Sequence, residues 1–169
     1  MIPTAAWPLG LGLLVTSPIL FGNVGLSLVG PVPIIKEEIG TSRLSKQDKV
    51  RIWSLFFNSS ATYIVGGTFL TAGLHAIAAF TAPDHFIRNL SIISALSSLS
   101  IIPWTLTVIM PTNKALLQMN EKQELSSQEE GDVMRLITTW DTYHKVRYIG
   151  YGVGWATGLA ALMATVRIA

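Results

Sequence analysis

The chain has 169 residues, 50% of them apolar and 13% charged, with a mean hydropathy of +0.47. A soluble domain of this size could not easily keep so apolar a surface in water, which points to a chain that lives in lipid. The net charge of +2 and pI near 9.0 belong to a basic membrane border rather than to a nucleic-acid-binding face, and the absence of cysteine excludes disulfides, thiolate metal sites and cysteine nucleophiles.

Four stretches, about 7–30, 55–80, 89–110 and 146–168, are long and apolar enough to cross a hydrocarbon core of about 30 Å, which takes about 20 residues of helix. None carries Asp, Glu or Lys, and Arg147 stands one position inside the fourth. The first stretch has no basic residue before it and no small-residue cleavage pattern after it, so it reads as a retained anchor. The following loop opens with Pro31-Val32-Pro33 and runs through Lys36, Glu37 and Glu38, a pattern expected to form a short interfacial helix. Thr41 to Asp48 then reads as a turn and a capped helix start.

The link between the second and third stretches, centred on Ala82-Pro83-Asp84-His85, is so short that the two helices must be antiparallel neighbours. Pro103 is expected to kink the third just before Trp104. The loop after it opens with Pro111-Thr112-Asn113-Lys114, has a polar middle over 121–131, and turns helical from Asp132 into the fourth stretch. There Gly150, Gly154 and Gly158 fall on one helix face and offer a neighbour close backbone approach, a role that Ser91, Ser94 and Ser98 match on the third. The expected architecture is an all-α integral membrane four-helix bundle, one domain over 1–169, with short interfacial helices in two cytoplasmic loops.

Orientation follows from the basic residues. Lys36, Arg43, Lys46, Lys49, Arg51, Lys114, Lys122, Arg135, Lys145 and Arg147 lie on one side and Arg88 and Arg167 on the other. The positive-inside rule puts both long loops in the cytoplasm and both termini across the membrane, with the endoplasmic reticulum or another endomembrane as the expected location.

Ionisable residues in or beside a span are costly and therefore candidates for function. His75 and His144 fall near opposite membrane surfaces and cannot share a metal. A site built from His75, Asp84 and His85 is the weaker reading, because a loop His beside an aspartate is ordinarily solvated. The other end is richer. Trp140, His144, Arg147 and Tyr151 recur at i, i+4, i+7 and i+11, so one helical face carries an aromatic wall, an imidazole, a fixed cation and a phenol. Trp53, Phe57 and Asn58 start the second stretch on that side, and Trp104, Pro111, Thr112 and Asn113 end the third. The bland alternative is a border belt of aromatics with Arg147 reaching lipid phosphates.

Met110-Pro111-Thr112-Asn113-Lys114-Ala115-Leu116-Leu117, followed by Trp140-Asp141-Thr142-Tyr143-His144-Lys145-Val146-Arg147, resembles the Pro/Asn and Trp/His/Arg signature of the DUF1772 membrane proteins, whose fungal branch contains the anthrone oxygenases of aromatic polyketide pathways. The Gly/Ser-rich first helix, Phe21 to Ser27 leading to Pro31, extends the likeness over nearly the whole chain. Tyr143 is a departure, since bacterial relatives often have Asn before the His. The resemblance implies oxidation of an anthrone methylene by O₂ to the anthraquinone with no cofactor beyond O₂ as co-substrate. It makes His144 the base, because an imidazole with an ordinary pKa of about 6.5 is available unprotonated, and Arg147 the partner of a developing oxyanion. Trp140, Asn113, Asn58, Tyr151 and Tyr143 are then the expected substrate-binding residues, and the expected partners are an aromatic polyketide and membrane lipid, with no nucleic acid and room for a homo-oligomer. Two alternatives stay open: a metal-dependent oxygenase using His144 with Asp141, Glu37 or Glu38, and a non-catalytic scaffold or transporter. A transporter would call for broken helices, inverted repeats and midplane polar groups.

Overall fold

The computed structural model describes residues 3–41 and 43–167; the expected end of the fourth stretch at Ile168, and Ser42 in the expected turn, lie outside these. The described residues contain helices and links, with no strand. They are α1 (Ala6–Leu28), α2 (Pro31–Ile35), α3 (Lys46–Thr81), α4 (His85–Leu99), α5 (Ile101–Trp104), a π-helical turn (Thr105–Ile109), α6 (Met110–Asn120) and α7 (Ser127–Arg167). Four helical stretches, Ala6–Ile35, Lys46–Thr81, His85–Asn120 and Ser127–Arg167, are long and apolar enough to cross a membrane. α1 packs on α3 and α7, and α4 packs on the same two, closing a ring of four.

Local chemistry explains the helix starts. Ser45 caps α3 by accepting from the Asp48 amide at 3.1 Å, while Asp48 accepts from the Ser45 amide at 3.3 Å, so two otherwise orphaned donors are satisfied reciprocally. Asp84 does the same service for α4, accepting from the Ile87 amide at 2.9 Å.

The loops differ from expectation. Helix α2 stops at Ile35, and Lys36 to Gly40 form turns instead of an interfacial helix, with Glu37 and Gly40 at positive φ. Their charges are drawn into the protein: Lys36 pairs with Asp141 and Glu38, and Glu37 with Lys49. The second long loop is largely consumed by helix. α6 continues to Asn120 and α7 begins at Ser127, because Leu116, Met119, Val133 and Ile137 pack together with Val32, Ile35 and Trp53 as a core beyond the apolar spans.

At the opposite end Leu9, Ala78, Ala82, Ile87 and Ala161 form a second core, with His75 fully buried above it. His75 Nδ1 bonds Ser94 Oγ, and Ser94 Oγ donates to the Gly154 carbonyl. The arrangement that serves all three groups has Nδ1–H donating to the serine. A Cβ on Gly154 would stand 2.9 Å from Ser98 Oγ and 3.2 Å from the Ser94 carbonyl, and one on Gly158 would stand 2.8 Å from His75 Cε1. The glycine face and the serine stripe are therefore the two sides of one close helix contact. Gly154→Leu is expected to cost at least the about 1–3 kcal/mol typical of overpacking, read as a lower Tm in detergent. An unchanged Tm would mean that the contact does not hold the bundle together.

Candidate active site

The π-helical turn follows Pro103, whose missing N–H cannot continue the α-helical ladder. The broken backbone is partly served by side chains: Thr107 Oγ1 donates to the Pro103 carbonyl at 2.8 Å and Ser100 Oγ to the Ser97 carbonyl at 2.7 Å. Irregular backbone at membrane depth is tolerated where it lines a cavity, and α5, the π-helical turn and α6 wall one of about 410 Å³ with α1, α3 and α7. That is within the range of about 300–1,000 Å³ common for small-molecule sites.

The helical face anticipated on α7 forms one wall of it. Trp140, His144, Arg147 and Tyr151 all line the cavity, joined from α6 by Asn113. The His144 ring stacks on Trp140 with centroids 4.5 Å apart and meets the edge of Tyr148 at 5.5 Å, so its plane is held from both sides. Arg147 Nη1 donates toward His144 Nδ1 at 3.5 Å, and Nη2 toward Tyr151 Oη at 3.4 Å. A guanidinium has no acceptor, so Nδ1 accepts and the proton of a neutral His144 ring resides on Nε2. Thr68 Oγ1 donates to the Ile64 carbonyl at 2.7 Å and, 2.8 Å from Tyr151 Oη, receives the phenol's proton.

Three polar atoms on these cavity residues are buried with no hydrogen-bond partner: Asn113 Oδ1, His144 Nε2 and Arg147 Nε. A buried polar group left without a partner costs about 1–3 kcal/mol. Aromatic side chains complete the enclosure. Phe57 lines the cavity and stacks on Trp53 at 4.9 Å, and Trp53 meets Trp140 edge-on at 5.7 Å.

Two of the anticipated residues lie elsewhere. Asn58 is exposed on the far side of α3, where its Nδ2 donates to Ser54 Oγ at 3.3 Å. Tyr143 packs edge-on against Trp104, with centroids 6.2 Å apart, and its carbonyl accepts from Trp104 Nε1. Each directly neighbours a cavity residue in sequence, and one helical residue is a rotation of about 100°. Sequence reasoning missed Thr68 and gave Asn23 no role, although both line the cavity; the available signal was their polarity inside an apolar span.

Beneath the site Asp141, 1% exposed, accepts from Lys145 Nζ at 2.7 Å, Lys36 Nζ at 2.9 Å and Ser27 Oγ at 3.0 Å. Tyr148 Oη lies 2.6 Å from Ser27 Oγ and 2.7 Å from the Asn23 carbonyl, tying α1 to the same cluster. Burial alone would lower the Lys36 pKa, but its bonds to Glu38 and Asp141 outweigh this and hold the ammonium above the ordinary lysine range. Its contribution to stability is therefore present at neutral pH and fades only as pH rises through that raised value. The three carboxylates considered as metal ligands, Asp141, Glu37 and Glu38, all sit in lysine ion pairs, and no three His, Asp or Glu side chains group together among the described residues.

A family profile described as anthrone oxygenase matches residues 53–157, more than half of the chain. The chain belongs to the anthrone oxygenase family. The matched region holds Thr68, Asn113 and the whole α7 face, while α1, which contributes Asn23 to the cavity wall, precedes it. Among curated anthrone oxygenases, nsrD of Aspergillus novofumigatus is 27% identical over 120 residues, covering 70% of this chain and 73% of that protein. The anthrone oxygenase tpcL of Aspergillus fumigatus is 33% identical over 72 residues, covering 43% of this chain and 44% of that protein. No solved structure matches.

Proposed function

We propose that the chain oxidises the central methylene of a polyketide anthrone with O₂, giving the anthraquinone and water. The observation that carries this reading is the set of unpartnered polar atoms on Asn113, His144 and Arg147 around an aromatic-walled cavity. A flat tricycle bearing a ketone and phenols supplies both the stacking surface and the missing hydrogen-bond partners. Family membership and the named relatives support the same class of chemistry.

In the free protein Arg147 covers the His144 Nδ1 lone pair. A substrate oxygen entering the cavity takes over that donation, which frees Nδ1 to accept a methylene proton while the guanidinium holds the resulting oxyanion. The electron-rich carbanion then reduces O₂ with formation of a C–O bond, and the peroxide anion takes the first proton back from the His144 imidazolium, giving a ring hydroperoxide. Loss of the second ring proton with O–O cleavage leaves one oxygen atom in the new carbonyl and the other in water. The two C–H bonds supply all the electrons, so the balance needs no external reductant or redox cofactor. In this proposal the polar end of the cavity faces the cytoplasm.

The test is incubation of the purified protein in detergent with an anthrone under air, with and without a chelator, following quinone absorbance against a blank lacking protein. Turnover well above the blank and insensitive to chelation is expected. Chelation that abolishes turnover, with recovery on adding metal back, would replace this mechanism by a metal-dependent one, and absorbance no faster than the blank would remove the proposal.

A further inference from the structure

The cavity has an opening on the side between α3 and the segment that follows α4. α3 packs closely on α4 and again on α6, but the intervening segment from Ile101 to Ile109 makes almost no close approach to it. The gap is framed by Val65 and Phe69 on α3 and by Leu106 in the π-helical turn, which are 46%, 54% and 58% exposed although all three line the cavity. Ala61, Ile102 and Thr105 line it half-buried between them. Val65 lies about 15 Å along α3 from Leu55, well inside the apolar span, so the medium outside the gap is acyl chain rather than water.

The opposite direction is shut. Beyond Asn113 and Trp140 toward the charged loops, Trp53, Leu116 and Ile137 are buried and tightly packed. The cavity is thus apolar at its mouth and polar on the α6 and α7 wall that faces it, where Asn113, His144 and Arg147 stand.

We propose that this gap is a doorway from the bilayer interior, through which a flat, oxygenated aromatic dissolved among acyl chains reaches the cavity with its polar edge leading; the identity of that ligand rests on the function proposed above. Dioxygen, itself apolar, takes the same path. The π-helical turn lies in the segment that stands off α3 between the α4 and α6 contacts.

The sequence contains no cysteine, so a single one can report access. Ile64→Cys places a thiol in the cavity wall, and Leu14→Cys, at a position 72% exposed on α1, serves as a lipid-facing reference. In phosphatidylcholine vesicles, pyrene maleimide is expected to label both, and a membrane-impermeant sulfonated maleimide neither. Adding Leu106→Trp or Val65→Trp is expected to slow labelling of the Ile64 position by an order of magnitude or more and to leave the Leu14 position unchanged; either variant suffices if the other fails to fold. Unchanged labelling in a folded Trp variant, or prompt labelling of the cavity thiol by the sulfonated reagent, would overturn the doorway and place access at the aqueous surface. The readout involves no turnover, so failure of the anthrone assay leaves it standing, and its own failure leaves the assay standing.

Discussion

His144→Ala is expected to lower anthrone turnover by about 10²- to 10⁴-fold, the usual cost of losing a general base, while the bundle stays folded. The ring occupies a buried slot between Trp140 and Tyr148 and its polar contact is with Arg147, so its removal leaves a small void and an unpaired Nη1 donor on Arg147, which keeps its Nη2 contact with Tyr151. The measurement is initial quinone formation above the uncatalysed blank, with the Tm checked in parallel. Arg147→Lys separates the two roles on this wall. Lysine keeps the charge but loses the planar fork that reaches His144 and Tyr151 together, so an intermediate loss is expected if Arg147 holds an oxyanion. A folded His144→Ala protein turning over at the parental rate would remove the mechanism.

The largest effect on stability is expected from Asp141→Ala. Its carboxylate is 1% exposed and takes bonds from two ammonium groups and a serine, so alanine leaves Lys36, whose side chain is 10% exposed, without its buried counter-ion. Removing one partner of a buried pair typically costs about 3–5 kcal/mol. Lys145 is 45% exposed and returns to water, which places the loss near the lower end of that range. Asp141→Asn preserves the Ser27 bond and is expected to fall between the two. Denaturation in detergent, monitored by loss of helical signal, reads both; an Asp141→Ala protein with the parental Tm would mean that Lys36 finds water or Glu38 as readily as Asp141.

Much of the site was legible before any coordinates. The 3.6-residue period alone puts Trp140, His144, Arg147 and Tyr151 on one face of a helix, and the four-residue spacing of Gly150, Gly154 and Gly158 marks a contact surface, because both relations are internal to one helix. The capped helix start read at Thr41 to Asp48 is equally local, since the cap at Ser45 is a bond between residues three apart. Tertiary structure decided what local period cannot: which faces of different helices look at the same space. Asn113 entered the cavity, whereas Asn58 and Tyr143 were turned away although each adjoins a cavity residue, a difference of one helical step whose outcome depends on how α3, α6 and α7 rotate against each other. The same holds for Thr68 beneath Tyr151 and for Asp141 between Lys36 and Ser27, 105 and 114 residues away in sequence, where burial and pairing exist only once α1, α2 and α7 have packed.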